Sequence, residues 1–396
     1  MYNTHAYALG TNRSYIRELA EYGKQRAAIV GAENVFDYSI GNPSIPAPAQ
    51  INDTIRQILE DTDSLAVHSY TSAGGDYETR LAIAQDLNSR FGTAVAPEDL
   101  TIGCGTSQEL VAVFHALTVP GAEFLAIAPF FPEYQPYVEQ TGATLKVVPA
   151  DIPGFQINLS ALEAMITCNT VAIIINSPNN PSGTVYTTQT LEKLAVILRK
   201  KAAEYGHPIY IVADEPYREL VYDGVVTPFI PTIYPDTIVC YSYSKSLSLP
   251  GERIGYVYVP KEATDSAELS AAIGGATRLT GHICAPSLWQ KVIARCAHLR
   301  PDLQAYAKNR KALYEGLLEA GYEAAKPDGA FYLFVKAPGG DSMAFCELAK
   351  ANDLLLVPGD IFGCPGYMRI CYCVSYDQIQ RSLPVFKKLV DAFKIH

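Results

Sequence analysis

The sequence has no excess of positive charge and no long apolar run. Its 31 lysines and arginines are outnumbered by 41 aspartates and glutamates, which gives a formal net charge of -10. Nucleic acids and anionic membranes attract basic surfaces, so this balance argues against both as partners, and no basic run or zinc-finger spacing opposes that conclusion. No apolar stretch reaches the ~18 residues that span a bilayer, and residues 1–19 lack the apolar core of a signal peptide.

The nine cysteines are scattered along the chain without paired spacing. Disulfide frameworks have even numbers of cysteines and form in oxidising compartments, so the sequence predicts reduced thiols and a cytoplasmic location. Cys371 and Cys373 alternate on a predicted strand. We interpret them as core residues rather than metal ligands, and no metal site is predicted.

What the sequence does contain is a repeated order of apolar strands and helices. Its 396 residues, 48% hydrophobic and 18% charged, suffice for about two domains. Helical spacing of apolar residues predicts helices at 14–23, which ends at a glycine, and at 51–60, from about 77, at 108–117 and at 188–205. Apolar runs predict strands at 36–40, 100–103, 123–128, 171–176, 209–213, 237–243 and 253–259. This order predicts an α/β fold with a mostly parallel sheet covered by helices.

The pattern changes after about residue 274. A helical region over 285–320, broken near Pro301, leads to predicted strands at 330–335 and 367–373 with a further helix between them. We therefore predict a large domain over residues 46–284 and a smaller α+β domain over 285–396. An N-terminal segment, residues 1–45, is expected to join the small domain.

The stretch Tyr241–Gly255, with the sequence YSYSKSLSLPGERIG, concentrates hydroxyls and two cations. A predicted strand leads into Ser242, Ser244 and Lys245, and Arg253 follows a Pro-Gly turn. Serine hydroxyls and a guanidinium bind a phosphate dianion, and a lysine beside them can form a Schiff base with an aldehyde of the same ligand. Taken alone, the stretch is equally explained as a polar loop after an edge strand, with a solvated lysine.

Other unusual turns follow the predicted strands, where ligands of parallel sheets bind. They lie at 103–107, 129–134, 176–183, 214–217 and 242–245. The first leads into a helix, so free N–H groups and the positive end of the helix dipole meet there. It resembles a dinucleotide fingerprint, but Gln108 replaces the third glycine, which favours a single phosphate. Phe131 and Tyr134 are either core residues or a flat surface for stacking.

Together these segments resemble the fold-type I, pyridoxal-phosphate-dependent aminotransferases of the class I/II family, of the aspartate aminotransferase-like kind. The resemblance runs from residue 40 to residue 369 and lies in the order and spacing of several short motifs. They are IGNP, YTSAGG, GTSQEL, PFFPEY, NSPNNPSG, ADEPY, SYSKSLSLPGERIG, PDGAFY and MRI. The resemblance implies a seven-stranded type of sheet, pyridoxal 5′-phosphate as cofactor, and a homodimer.

The resemblance also implies a catalytic group made of Lys245, Asp214 and Tyr217. Lys245 would bind the cofactor as a Schiff base and then carry a proton between the substrate Cα and the cofactor. Asp214 would pair with the pyridinium nitrogen and favour its protonated form by about 1–3 pK units. Asn180 and Tyr217 would hydrogen-bond the phenolic oxygen of the ring. Taken alone, an aspartate in a sequence such as ADEPY is more often a helix cap or a turn residue than a catalytic group.

The remaining implied roles concern the phosphate, the ring face and the substrate. The implied phosphate-binding residues are Gly105, Thr106, Ser107, Ser242, Ser244 and Arg253. Phe131 would stack on the ring, and Tyr70 would reach the phosphate of the neighbouring subunit. Arg369 would bind the substrate α-carboxylate through two parallel hydrogen bonds, with Gly41 and Asn180 beside it. We interpret Tyr332 as a core or domain-interface residue.

The implied reaction is amino-group transfer between an L-amino acid and a 2-oxo acid. An aspartate-like donor is favoured, with aromatic amino acids or alanine as options. A dicarboxylate needs a second cation, for which Arg13, Arg17 and Arg278 are candidates. Two other functions stay open: a C–S β-lyase on the same fold, and a non-catalytic domain that senses the cofactor. The latter normally accompanies a DNA-binding domain, whereas only about 40 residues precede IGNP here.

Overall fold

The computed structural model describes residues 1–11 and 14–393. Its strands are β1 (Phe36–Asp37), β2 (Leu100–Gly103), β3 (Glu123–Ile127), β4 (Thr144–Val148), β5 (Thr170–Asn176), β6 (Tyr210–Asp214), β7 (Thr237–Ser242), β8 (Gly255–Tyr258), β9 (Tyr332–Lys336), β10 (Leu354–Leu355), β11 (Val357–Pro358) and β12 (Tyr367–Cys371). Its α-helices are α1 (Thr4–Thr11), α2 (Tyr15–Val30), α3 (Ala49–Asp61), α4 (Ser64–His68), α5 (Tyr77–Phe91), α6 (Thr106–Leu117), α7 (Tyr134–Glu139), α8 (Leu159–Met165), α9 (Thr188–Tyr205), α10 (Tyr243–Ser246), α11 (Ser266–Leu279), α12 (Ser287–Cys296), α13 (Gln304–Glu319), α14 (Ser342–Ala351) and α15 (Tyr376–Phe393). Among the helices of these two ranges, none combines the length and apolar character needed to cross a bilayer.

A seven-stranded sheet organises the first and larger part of the chain. Its strands follow the order β2-β8-β7-β6-β5-β3-β4. Strands β3, β4, β5, β6 and β7 pair in parallel, whereas β8 is antiparallel to both β2 and β7. The prediction of an α/β fold with a mostly parallel sheet is confirmed.

Alternate residues of the central strands face two different layers of helices. On β5, Ile173 and Ile175 pack in one core together with residues of α3, α5 and α12. Ala172 and Ile174 point to the other side and pack with residues of α6 and α11. Because successive strand residues face opposite sides and both sides are covered, these strands appear in the sequence as continuous apolar runs.

A second core lies around the antiparallel sheet β11-β12-β9. It includes buried residues of α13 and α15, such as Leu313 and Phe386. The N-terminal segment reaches this part of the molecule, because β1 pairs in parallel with β10, with Phe36 opposite Leu354. This pairing supports the predicted association of residues 1–45 with the small domain, which stays a proposal.

The packing of α12 bears on the proposed domain boundary. The predicted break near Pro301 separates α12 from α13. However, Val292 and Ile293 of α12 are fully buried in the core shared with α3 and α5. This packing favours a boundary close to Pro301 rather than between residues 284 and 285.

Several predicted helix ends are wrong, among them the start of α3, which begins at Ala49 rather than at residue 51. The first helix does not end at Gly23 but runs on to Val30, and Gly31 follows it with a φ of 91°. Gly23 lies inside the helix, where it packs closely on its neighbours: a Cβ there would come within 2.7 Å of the Leu355 side chain. Helix α6 begins at Thr106, two residues earlier than predicted, with Gly105 at its N-cap position.

A buried ion pair stabilises the turn that follows β6. The guanidinium of Arg218 pairs with Glu215, and both side chains are 2% exposed. Arg218 also donates to the Tyr256 hydroxyl at 2.8 Å and lies over the Tyr241 ring at 4.5 Å. Removing one member of a buried pair leaves the other charge buried and unhydrated. This lowers the free energy of unfolding more than the loss of an exposed pair does.

We expect Arg218→Met to lower the free energy of unfolding by about 3–5 kcal/mol, because Glu215 would stay buried without its partner. Arg56→Met is the matched control. Arg56 pairs with Asp53 at 2.7 Å on the surface, where such pairs contribute about 0–1 kcal/mol. Urea unfolding of both variants measures the two costs, and equal losses would contradict the role given to burial.

Candidate active site

Most of the residues predicted for the site line one cavity of about 270 Å³ at the carboxyl ends of the parallel strands. The predicted residues in its lining are Gly41, Thr106, Ser107, Phe131, Asn180, Asp214, Tyr217, Ser242, Ser244, Lys245, Arg253 and Arg369. The cavity also touches residues that the sequence did not single out for it: Ile16, Ile40, Leu110, Asn176, Pro216, Pro250 and Tyr332. The site combines loops of the large sheet with Arg369 and Tyr332 from the second sheet.

Lys245 lies on the one-turn helix α10 directly after β7. Its Nζ donates a hydrogen bond to the Gly41 carbonyl at 2.8 Å. Burial lowers the pKa of Lys245 below its ordinary value; the thiols of Cys373 and Cys371 oppose this shift, whereas the charges of Arg253 and Arg369 add to it. A lysine with a lowered pKa supplies the neutral amine that acts as a nucleophile and a base.

Asp214 is the last residue of β6 and is 5% exposed. Its Oδ2 accepts a hydrogen bond from the Tyr134 hydroxyl at 2.5 Å, and Asn176 Nδ2 donates to its main-chain oxygen at 2.8 Å. The second carboxylate oxygen, Oδ1, is buried and has no hydrogen-bond partner among the described residues. Burial raises the pKa of Asp214 to about 7, although the Tyr134 hydroxyl lowers it. A cationic N–H group would satisfy this oxygen and stabilise the charged form.

Thr106 and Ser242 meet at one end of the cavity, with the Thr106 hydroxyl 3.2 Å from the Ser242 hydroxyl. Thr106 begins the 12-residue helix α6, and the free N–H groups of the first turn of this helix are directed toward the same end of the cavity. Gly105 is required here, because a Cβ would lie 2.6 Å from a terminal nitrogen of Arg253 and its φ is 86°. Hydroxyls, N–H groups and a guanidinium together form a cradle suited to a phosphate dianion.

Arg369 is 3% exposed and projects from β12 into the cavity. One terminal nitrogen donates to Asn180 Oδ1 at 3.0 Å, and the other donates to the Ser39 carbonyl. Its Nε is buried without a hydrogen-bond partner in the described residues. Since each terminal nitrogen carries two hydrogens, the guanidinium has donors left for a carboxylate.

Tyr217 and Phe131 complete the predicted set that lines the cavity. The Tyr217 hydroxyl lies 2.8 Å from the hydroxyl of Tyr332, and either can donate. Phe131 packs edge-on against Tyr134, with ring centroids 5.7 Å apart. Tyr134 does not line the cavity itself, and its hydroxyl bonds to Asp214, so it is a partner of Asp214 rather than a stacking surface.

Some predicted residues are not brought to this cavity. Tyr70 is 96% exposed in the single chain and is absent from the cavity lining. Arg17 lines a different surface cavity, and Arg278 is exposed at the end of α11. Arg13 lies outside the described residues. Within the described lining, the lysine and arginine residues are Lys245, Arg253 and Arg369.

Sequence reasoning missed three residues of the site. Asn176 ends β5 opposite Asp214 in the strand register, and a polar residue closing an apolar strand was its one visible signal. Tyr134 stood in a quoted motif, but nothing in the sequence indicated its bond to Asp214. Tyr332 was interpreted as a core or domain-interface residue; it is buried, and it also lines the cavity.

Comparison with known proteins identifies the family. Residues 33–385 match the sequence profile described as aminotransferase class I and II. The chain belongs to this family. Its relatives include an aspartate aminotransferase of Thermotoga maritima, 29% identical over 368 residues that cover 91% of this chain and 92% of the relative. Aromatic-amino-acid aminotransferase 2 of Thermococcus litoralis is 28% identical over 401 residues and 97% of each chain.

Solved structures of aminotransferases have the same fold. An aminotransferase from Eubacterium rectale is 56% identical, with a TM-score of 0.98 over 99% of both chains. The chain is therefore a transaminase that depends on pyridoxal 5′-phosphate, as this class does. The residues present fit that group, because the orphaned Oδ1 of Asp214 suits a pyridinium N–H and the Gly105–Arg253 cradle suits a phosphate.

The raised pKa of Asp214 predicts a pH dependence in the cofactor-free protein. In the unfolded chain this carboxyl ionises near its ordinary pKa of 3.8, and in the folded chain near 7. Between these values the folded state holds the extra proton, so Asp214 lowers the free energy of unfolding as the pH rises from about 4 to about 7.

Asp214→Asn removes this titration. We expect the unfolding free energy of the variant, minus that of the wild type, to rise from pH 4 to pH 7 and then to stay level. Urea unfolding of the variant and the wild type at a series of pH values measures it. A flat difference for Asp214→Asn would mean that the folded carboxyl titrates normally.

Proposed function

We propose that the chain transfers an amino group between an L-amino acid and a 2-oxo acid, with Lys245 as the residue that bonds to the cofactor. The observation that supports this most is that Lys245, Asp214 and Arg369 line one cavity. Together they offer a nucleophilic amine, a buried carboxylate for a cationic ring nitrogen, and a guanidinium for the substrate carboxylate.

Asp214 is proposed to hold the cofactor ring in its protonated state. When bound, pyridoxal phosphate supplies an aldehyde carbon that bonds amines and a ring that accepts the electron pair left when Cα loses its proton. The free Oδ1 of Asp214 would accept the ring N–H, while Tyr134 holds Oδ2 in place. Asn180 and Tyr217 would hydrogen-bond the phenolic oxygen of the ring.

Lys245 Nζ is proposed to remove the Cα proton and to carry it to the carbon that the cofactor aldehyde contributes. Its lowered pKa leaves part of the amine neutral, as a base requires. In the free protein Nζ is held by the Gly41 carbonyl. Gly41 lines the same cavity as Asp214 and Arg369.

Arg369 is proposed to bind the substrate α-carboxylate and so to fix which Cα bond faces Lys245. Asn180 and the Ser39 carbonyl hold the guanidinium, which reduces its freedom before substrate arrives. The Gly41 backbone would assist. At the other end, Thr106, Ser107, Ser242, Ser244 and Arg253 would hold the phosphate, with the N–H groups at Gly105.

A homodimer is proposed because the single chain leaves Tyr70 outside its own cavity. Tyr70 is 96% exposed, and Leu65, Leu279 and Ile283 are also exposed apolar side chains. Exposed apolar side chains of this kind suit a surface covered by a second copy. Tyr70 would then reach the phosphate site of that copy. The nine free cysteines fit the reducing cytoplasm that we propose as the location.

The donor is proposed to have a neutral, apolar or aromatic side chain. Ile16, Ile40 and Phe131 line the cavity, and the cations in its described lining already have roles. The aspartate-like donor favoured from sequence would need a further cation, for which the exposed Arg278 of a second copy is a candidate. The relatives include one enzyme named for aspartate and one named for aromatic amino acids, so an aspartate-like donor is the second candidate.

A panel of L-amino acids added singly to the cofactor-loaded enzyme tests the proposal. We expect loss of the visible absorbance of the bound cofactor, with formation of one equivalent of 2-oxo acid, most readily with aromatic and large apolar donors. A subsequent 2-oxo acid should restore the absorbance.

The Lys245→Ala variant is the control, because it should turn over at no measurable rate. Full activity of this variant would end the proposal. Release of pyruvate and ammonia from cystathionine without an added 2-oxo acid would instead indicate a C–S lyase. A clear preference for aspartate would overturn only the proposed donor class, and loss of that preference in Arg278→Ala would assign the cation.

A further inference from the structure

Tyr332 carries a hydroxyl into a site that its sequence context does not indicate. It begins β9 and is 2% exposed, between the buried aromatic residues Phe331 and Phe334. A phenylalanine would suffice for a core position of this kind, because a buried hydroxyl is unfavourable unless it is hydrogen-bonded. The Tyr332 hydroxyl is bonded, at 2.8 Å, to the hydroxyl of Tyr217.

Tyr332 contacts functional groups from both parts of the molecule. Tyr217 follows β6 of the seven-stranded sheet, whereas Arg369 lies on β12, the neighbour of β9 in the second sheet. The Arg369 guanidinium lies 4.9 Å from the centroid of the Tyr332 ring. Gly41 packs directly on the phenol, since a Cβ there would lie 2.1 Å from its oxygen. Tyr332 thus lies where the proposed carboxylate site and the proposed ring site meet.

The number of protons fixes the direction of the bond between the two tyrosines. A phenol has one proton and can donate one hydrogen bond. If the Tyr217 proton is directed to the phenolic oxygen of the cofactor, the hydrogen between the two hydroxyls must come from Tyr332. Donation into the Tyr217 oxygen also strengthens Tyr217 as a donor, because hydrogen bonds in a chain polarise one another.

We propose that Tyr332 is a positioning residue: its hydroxyl orients the Tyr217 proton toward the cofactor, and its ring supports the Arg369 guanidinium. This inference rests on the roles proposed above for Tyr217 and Arg369. The two functions use different parts of one side chain, so two substitutions separate them.

The first test is Tyr332→Phe in the cofactor-loaded enzyme, which keeps the ring and removes the hydroxyl. A weaker hydrogen bond from Tyr217 stabilises the negative charge of the phenolic oxygen less. The proton on the nitrogen that would join Lys245 to the cofactor is then retained to higher pH. We expect the pH midpoint of the visible absorbance change to rise. We also expect kcat to fall about three- to tenfold, as for one hydrogen bond, with little change in KM for the 2-oxo acid.

The second substitution, Tyr332→Leu, also removes the ring beneath Arg369. We expect it to raise KM for the 2-oxo acid in addition to lowering kcat, because the guanidinium keeps the Phe362 ring but loses the Tyr332 ring, each 4.9 Å away. Tyr322→Phe is the matched control for loss of a buried hydroxyl. Tyr322 donates to the Phe386 carbonyl at 3.0 Å within the second core, so its loss should leave both the absorbance midpoint and KM unchanged.

The decisive comparison adds Tyr332→Phe to Tyr217→Phe. Since the hydroxyl of Tyr332 acts through that of Tyr217, the double variant should show the same absorbance midpoint as Tyr217→Phe alone. A further shift in the double variant, or no shift in Tyr332→Phe while Tyr217→Phe does shift, overturns the inference for Tyr332. No shift in Tyr217→Phe itself overturns the role proposed for Tyr217, and the inference falls with it.

Discussion

The carboxylate of Asp214 is the constraint on which the rest of the site depends. It lies at the end of a fully buried strand, where ionisation is unfavourable, and one of its oxygens has no partner in the described residues. Tyr134 and Asn176 hold the group in place without neutralising it. A cationic ring nitrogen would satisfy the free oxygen, so the same burial that raises the pKa of Asp214 in the free protein would make it a strong partner for a pyridinium.

The distribution of charge in the cavity complements that carboxylate. Lys245, Arg253 and Arg369 bring positive charge into the cavity of a chain whose formal net charge is -10. Phosphate and substrate carboxylate are both anionic, so cations at two ends of the cavity fix the orientation of what lies between them. Burial lowers the pKa of Lys245, and the charges of Arg253 and Arg369 lower it further.

The architecture explains why these groups can meet. Parallel strands bring Asn176, Asp214 and Ser242 to one edge of the large sheet, and the second sheet supplies Arg369 and Tyr332 from the opposite side. The site is therefore formed between two cores. The contact between the hydroxyls of Tyr217 and Tyr332 joins the segment after β6 to strand β9 of the second sheet at the cavity.

The sequence by itself determined most of the strands, though not β4, β10 or β11, together with the motif order and most residues of the cavity. Lys245 and Asp214 could be predicted because each follows a predicted strand with a continuous apolar run, and such strand ends share one edge of the sheet. Arg253 could be predicted because a guanidinium so close in sequence to Ser242, Ser244 and Lys245 suits a phosphate. Only the tertiary structure decided which partners these residues have. The bond from Tyr134 to Asp214 and the Tyr332 hydroxyl at Tyr217 join residues 80 and 115 positions apart. Gly23 inside α2, and α12 in the first core, likewise reflect contacts with distant segments. Local spacing contains no information about such contacts, because they depend on how separately folded segments pack.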